Sequence, residues 1–153
     1  MSWLTDTQLE QAINNVSDGR VKQAFRGVFS NDSLPSSVGP LPAFVIVNTD
    51  VSNLPGRHWK ALFIDVNFMG EVFDSLATPL SNSVIQFMNQ HARKWNMNRV
   101  MVQHPMSTQC GAYVLYFVTQ RLKYNSLSEL CHTFTSDWDK NERMVRALYH
   151  HVQ

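Results

Sequence analysis

The first regular pattern in this chain of 153 residues is a helical spacing of apolar side chains near its start. Thr5 and Gln8 have the spacing of a capping box, which satisfies free backbone N–H groups where a helix begins. Apolar residues then recur three or four positions apart, which predicts an amphipathic helix over roughly residues 6–16. Residues 24–35 mix apolar side chains with turn formers, so we interpret them as an ordered loop with a short helix or strand. A surface connection from Pro35 to Pro42 follows.

Three apolar runs in the middle of the chain predict β-strands. Ala43–Asn48 and His58–Val66 are rich in β-branched and aromatic residues, and the apolar centre of the second run indicates a central, buried strand. After a short turn, Glu71–Asp74 returns as a third strand, so the last two runs form an antiparallel hairpin. We therefore expect His58 and Asp74 to be neighbours, although the sequence does not determine the register of the two strands.

A second helical pattern begins at Ser81. Apolar residues lie along one side of this predicted helix: Val84, Phe87, Met88, Ala92 and Trp95. Arg99–Gln103 is interpreted as another short strand. A long apolar helix then begins at Cys110 and is expected to end between Lys123 and Asn125.

Two further helices are predicted at the C-terminal end. Ser126 and Glu129 repeat the capping-box spacing, and the last helix covers about residues 137–152. The order of elements predicts an α+β fold, in which a central helix packs on a mainly antiparallel sheet, and residues 1–153 are interpreted as a single domain.

Composition narrows the class of protein. Hydrophobic residues make up 44% of the chain and charged residues 16%, which is typical of a globular protein. The net charge is +1 and the basic residues are scattered, which favours solvated helix faces over a nucleic-acid surface. Two cysteines are too few for a disulfide framework and favour a reducing compartment. Neither a signal peptide nor an apolar stretch of membrane-spanning length is recognisable, so we expect a soluble intracellular protein.

Cys110 is the main candidate for chemistry, because it stands where a polar loop becomes an apolar helix. Free N–H groups and the helix dipole favour a thiolate there. A nucleophilic thiolate also needs a base, a group that orients the base and donors for an oxyanion. His58, Asp74 and Gln103 are candidates for these three roles. Each residue alone also fits a buried, surface or turn position, but all four stand at the ends of elements, where sites commonly gather.

A metal site is not predicted. Six histidines are present, and Cys131 and His132 are adjacent, but no pair has the ligand spacing of a zinc site. His150 and His151 are interpreted as helix C-terminal residues that suit the helix dipole.

These residues resemble the adenovirus protease (adenain) family of cysteine endopeptidases, which includes enzymes of other DNA viruses and virus-like transposons and shares a core with deconjugases of ubiquitin-like proteins. The likeness covers about residues 6 to 124. The matching segments are Phe25–Phe29 with Asp32 and Leu34-Pro35, Ile46–Thr49, His58-Trp59, Val72–Asp74, and Gln103–Gly111.

The resemblance implies a papain-like or adenain-like protease domain. Cys110 would attack the scissile carbonyl carbon, with His58 as base and then acid. Asp74 would orient His58, and Gln103 would stabilise the oxyanion together with the Cys110 backbone N–H. The implied function is cleavage of viral precursor proteins after small residues, typically glycine, in the virion and the host cell interior, including the nucleus.

Other functions stay open at this point. A deconjugase of a ubiquitin-like modifier uses the same residues, and an inactive interaction module could keep the fold, although the four intact residues argue against it. The chemistry requires no cofactor. The adenovirus enzyme is activated by a peptide that can form a disulfide in a region that has no cysteine here, residues 95–101. We therefore do not expect a disulfide-linked activator, and a noncovalent peptide activator stays open. The modest net charge gives no support to DNA as an activator.

Overall fold

The computed structural model describes residues 4–49 and 58–152. Six helices occur in these ranges: α1 (Asp6–Asn14), α2 (Gly19–Ala24), α3 (Asn82–His91), α4 (Cys110–Gln120), α5 (Leu127–Cys131) and α6 (Trp138–Val152). A 3-10 turn, Arg121–Lys123, follows α4 directly. The strands in these ranges are β1 (Phe25–Ser30), β2 (Ala43–Asn48), β3 (Trp59–Ile64), β4 (Met69–Phe73) and β5 (Lys94–Met97).

The five strands form one sheet in the order β1-β2-β3-β4-β5. The inner pairs, β2 with β3 and β3 with β4, are antiparallel. The outer pairs, β1 with β2 and β4 with β5, are parallel. The predicted α+β class and the β3–β4 hairpin are confirmed, and the sheet is mixed because a parallel strand is added at each edge.

Helices cover the sheet on both faces. Every residue of α4 from Cys110 to Thr119 is buried, and Phe117 of this helix stacks on Phe73 of β4 with ring centroids 5.1 Å apart. On the opposite face, α3 packs against alternate residues of β3 and β4, including Leu62. Strands buried on both faces read as continuous apolar runs, which explains the sequence pattern of β2 and β3.

The helix starts are capped as the sequence predicts. Thr5 and Gln8 form both bonds of the capping box, and α1 ends at Asn14. The side chain of Ser126 accepts a hydrogen bond from the Glu129 backbone N–H at the start of α5. Capping of this kind fixes the residue at which each helix begins.

Two predictions about the region after α3 are wrong. This helix ends at His91, because Ala92 has extended backbone angles, and Trp95 belongs to β5. Residues 99–103 do not form a strand. In that segment the Val102 N–H donates to the Ser75 carbonyl oxygen, and the Val102 carbonyl oxygen accepts from the Asn141 side chain. These partners take the place of a strand ladder.

A buried ion pair holds the far end of α4. Arg121 donates to both carboxylate oxygens of Glu71 on β4, at 2.6 and 3.0 Å. The Leu127 N–H at the start of α5 donates to the same carboxylate at 2.9 Å. Glu71 therefore ties the sheet to the end of the helix that begins at Cys110.

Candidate active site

The β3–β4 hairpin brings a histidine and a carboxylate into contact. His58 directly precedes β3, Asp74 directly follows β4, and the His58 Nε2 atom lies 2.7 Å from Asp74 Oδ1. The predicted proximity of these two residues is confirmed. Among the described residues, the second ring nitrogen of His58, Nδ1, is buried and has no hydrogen-bond partner. With Nε2 donating to the carboxylate, Nδ1 carries the lone pair that a general base needs.

Asp74 is fully buried and accepts several hydrogen bonds. Oδ1 also accepts from the Leu76 N–H at 2.9 Å, and Oδ2 accepts from the N–H and hydroxyl of Thr78 at 2.8 and 2.6 Å. Burial raises the pKa of Asp74, but the bonds from His58 and Thr78 and the charge of Lys60 outweigh it and hold the pKa below its ordinary value. The carboxylate is therefore anionic at neutral pH.

The backbone of Asp74 is held by Asn98, which follows β5. The Asp74 N–H donates to Asn98 Oδ1 at 2.9 Å, and Asn98 Nδ2 donates to the Asp74 carbonyl oxygen at 2.7 Å. Asn98 was not among the residues predicted from sequence. It lies between Trp95, which was assigned to the preceding helix, and residues 99–103, which were predicted as a strand, and no local pattern places it beside Asp74.

Cys110 is the first residue of α4 and only 1% exposed. Burial, together with the charge of Asp74, raises the pKa of its thiol to about 11, although the N–H groups of Trp59 and Gly111 act in the opposite direction. The expectation that the helix start favours a thiolate is thus wrong, because desolvation outweighs the favourable N–H groups. The influence of the Trp59 N–H places the thiol beside the strand start that carries His58.

Gln103 is fully buried with its side-chain amide held in one orientation. Its Oε1 accepts from the Ser75 hydroxyl at 2.5 Å, and its Nε2 donates to the Ser107 carbonyl oxygen at 3.1 Å. An amide nitrogen has two protons, so this bond engages one of them. Ser75 directly follows Asp74, and this contact joins the Gln103 segment to the hairpin.

The loop between Gln103 and Cys110 is fixed to α6. The Ser107 hydroxyl donates to the Glu142 carboxylate, and the Gln109 N–H donates to the Ser107 hydroxyl oxygen at 3.1 Å. These bonds set the approach of the chain to the first turn of α4.

Leu4, just before α1, packs against the start of α4. The Trp59 indole N–H donates to the Leu4 carbonyl oxygen at 3.1 Å. A Cβ atom at Gly111 would lie 2.8 Å from the Leu4 side chain, closer than real Cβ contacts. The glycine after Cys110 is therefore required by packing in this chain.

Neither a cluster of metal ligands nor a membrane-spanning helix occurs in residues 4–49 and 58–152. No group of three or more histidine, cysteine or acidic side chains in these ranges is arranged to hold a metal ion. The side chains of His150 and His151 lie outside the described part of the chain. No helix within these same ranges is long and apolar enough to span a membrane.

Comparison with known sequences identifies viral proteases as relatives. No family model matches the chain. It is 29% identical over 104 residues to cysteine protease S273R of African swine fever virus (a Malawi tick isolate), which covers 60% of this chain and 38% of the relative. It is 28% identical over 104 residues to the protein of a Kenyan pig isolate named SUMO-1 cysteine protease S273R, with the same coverage. The chain thus spans less than two fifths of the length of these relatives.

Solved structures agree on the fold. The crystal structure of the African swine fever virus pS273R protease matches with a TM-score of 0.66 and 20% identity, over 97% of this chain and 67% of that one. The SUMO protease Ulp1 matches with a TM-score of 0.52 and 13% identity, over 98% of this chain and 77% of that one. The central domain of the uncharacterised Legionella pneumophila protein Lpg1148 matches with a TM-score of 0.57 and 14% identity, over the full length of both.

The matched proteins of African swine fever virus are named cysteine proteases, and the narrower resemblance to the adenovirus enzyme stays a prediction. The chain is thus similar in sequence to viral cysteine proteases and has the α+β fold that they share with the Ulp1 protease.

Proposed function

We propose that this chain is a thiol endopeptidase that cleaves viral precursor proteins, with Cys110 as nucleophile and His58 as base. The observation that carries the proposal is the His58–Asp74 hydrogen bond, which leaves the buried Nδ1 of His58 as a proton acceptor. The neighbouring Cys110 thiol, at the start of a buried helix, supplies the proton. Relatives named as cysteine proteases support the same reaction class.

In the first half of the reaction, the Cys110 thiol proton passes to His58 Nδ1 as the sulfur attacks the scissile carbonyl carbon. The raised pKa of the buried thiol supports this coupling, since a thiol that is protonated at neutral pH needs a base beside it. The oxyanion accepts from the Cys110 backbone N–H and from Gln103 Nε2. His58 then protonates the leaving amine, the C–N bond breaks, and a thioester remains.

In the second half, His58 takes a proton from water as the water oxygen attacks the thioester carbon. The C–S bond breaks, the acid product leaves, and the proton returns to the Cys110 sulfur. Asp74 holds the imidazole in one tautomer in both halves and stabilises the imidazolium that forms. These steps use only groups that belong to this chain. A noncovalent peptide or DNA activator is an additional proposal, for which the contacts of the site give no support.

Cleavage after glycine or another small residue is part of the proposal, as is action in the virion and the interior of the infected cell, including the nucleus. A deconjugase of SUMO-like modifiers is the second candidate. The name SUMO-1 cysteine protease of one relative and the fold shared with the SUMO protease Ulp1 favour it. Gly-containing peptides and a SUMO conjugate, assayed side by side, separate the two activities.

The two cysteines of the chain give a matched test of the mechanism. Cys110→Ala should abolish hydrolysis of the peptide or conjugate while circular dichroism and thermal unfolding stay close to wild type. Cys131→Ala, at a partly buried site on α5, should keep turnover. Turnover that survives in Cys110→Ala would refute the mechanism, and a folded wild-type chain without turnover on any substrate would favour the inactive interaction module.

A further inference from the structure

Lys60, the second residue of β3, is a buried lysine in an otherwise apolar strand. Only 3% of its side chain is exposed, and the residues that follow it on β3 are apolar. Its Nζ lies 3.4 Å from Asp74 Oδ2 and donates to the Pro79 carbonyl oxygen at 3.1 Å. A buried ammonium is costly unless it is paired, so this position demands a partner such as the carboxylate.

The strand register explains why the two charges meet. Ala61 pairs with Phe73 across the antiparallel β3–β4 hairpin, so the next pair outward is Lys60 with Asp74. Directly opposite residues of two strands place their side chains on the same face of the sheet. His58, which directly precedes β3, reaches the same carboxylate with its Nε2 atom. The Asp74 carboxylate is therefore held between an imidazole and an ammonium, with one oxygen toward each.

We propose that Lys60 is a positioning residue for the proposed reaction. Its ammonium fixes Asp74 Oδ2, so that Oδ1 faces the imidazole, and it offsets the carboxylate charge at His58 and Cys110. The importance of Lys60 for the reaction rests on the proposed function. The electrostatic effect of the Lys60 charge on His58 can be measured without turnover.

The charges around the carboxylate set the direction of that effect. A negative charge beside a titratable group favours the protonated form of that group, and the charge of Asp74 raises the pKa of Cys110 in this way. Among residues 4–49 and 58–152, the titratable groups that interact electrostatically with this carboxylate are His58 and Lys60 from the β3 segment and Cys110 from α4. Thr78 and the Asn98 side chain, which contact Asp74 from the other sides, are neutral. Removing the Lys60 charge therefore leaves His58 beside an unbalanced anion and raises its proton affinity.

The test is an NMR titration of the His58 imidazole in the full chain carrying Cys110→Ala, with His58→Gln used to assign the signal. Adding Lys60→Met should raise the pKa of His58 by about one unit, a tenfold change in proton affinity. Lys60→Arg keeps the charge and should leave the titration near that of the parent. Lys94→Met, which removes an exposed lysine from β5, should leave it unchanged.

In the catalytically intact chain, the acid limb of kcat/KM should move to higher pH in Lys60→Met by the same amount, since the base must be neutral to accept a proton. A purely structural role would lower the rate without moving the limb. An unshifted His58 titration in folded Lys60→Met overturns the inference. If that variant does not fold, Lys60→Gln, which still has a donor for the Pro79 carbonyl, provides the same comparison. Wild-type chain without turnover would refute the proposed function and leave the titration result intact.

Discussion

The Asn98 side chain binds both the N–H and the carbonyl oxygen of Asp74. It thereby continues the hydrogen bonding of the sheet beyond the last paired strand residues. The β4–β5 ladder reaches Val72 and Met97. Past this point the Asn98 side chain accepts from the Asp74 N–H and donates to the Asp74 carbonyl oxygen. An acid that lies just outside a strand thereby has both of its backbone groups hydrogen-bonded, as a residue within a strand does.

Asn98→Ala should destabilise the chain and slow turnover together. The change leaves two buried backbone groups of Asp74 without partners, and each such group costs about 1–3 kcal/mol. Urea unfolding gives the loss of stability, and kcat/KM gives the effect on the site. The exposed Asn125→Ala serves as control and should change neither. Equal kcat/KM in Asn98→Ala and the wild type would show that the backbone bonds do not position Asp74 for catalysis.

Gln103→Ala should reduce kcat without abolishing turnover. Loss of one oxyanion donor typically costs on the order of a hundredfold or more, and the Cys110 backbone N–H remains as the other donor. KM should change little, because the interaction forms in the transition state. The exposed Gln90→Ala is the control, and its steady-state constants should match the wild type. A kcat in Gln103→Ala within a fewfold of wild type would remove this residue from the oxyanion site.

Asp74→Asn should lower kcat more than it changes KM. The amide can present its NH₂ group to the imidazole and select the wrong tautomer, and the same change in a serine protease triad lowers kcat by about 10⁴-fold. Steady-state kinetics over a range of pH measures the loss. Unchanged kcat would mean that another group orients His58.

Acid should remove the stability that the Asp74 carboxylate contributes. Its pKa is lower in the folded chain than in the unfolded chain, so its contribution is fully present above the ordinary aspartate pKa of about 4 and is lost as the pH falls further. The stability gap between wild type and Asp74→Asn should therefore narrow below that pH. Urea midpoints at a series of pH values measure the gap. A gap that stays constant down to pH 2 would contradict the lowered pKa.

Glu71→Ala should be strongly destabilising. It leaves the Arg121 cation, whose side chain is only 7% exposed, without its carboxylate, and removal of one partner of a buried pair costs about 3–5 kcal/mol. Arg20→Ala breaks an exposed ion pair with Asp18 and should have little effect. Urea unfolding of both variants makes the comparison. Similar small losses in the two would show that the buried pair gives no more stability than the exposed one.

The parts of the site that depend on local pattern could be predicted from the sequence. A short turn between two apolar runs dictates an antiparallel hairpin, and this was sufficient to bring His58 and Asp74 together. A polar loop followed by an apolar run was likewise sufficient to place Cys110 at the start of a helix. The ionisation of the thiol could not be predicted, because it depends on how deeply the helix start is buried.

The remaining parts depend on contacts between distant segments. Asn98 and Asp74 are 24 positions apart, and nothing near either residue indicates their pairing. Val100 belongs to a run typical of a strand, yet it is 72% exposed in an irregular segment. Lys60 is a position at which the sequence does carry a signal. A lysine within a buried apolar run needs a partner of opposite charge.

The complete burial of α4 also determines how this helix tolerates substitution. In α1 the buried residues Leu9, Ala12 and Ile13 recur at helical intervals, so tolerated and forbidden positions should alternate along it. Ten consecutive residues of α4, from Cys110 to Thr119, have no solvent-facing side. A scan of all single substitutions should therefore show that every position from Cys110 to Thr119 tolerates few replacements. The nucleophile can be distinguished from the packing residues only when activity and folding are measured separately.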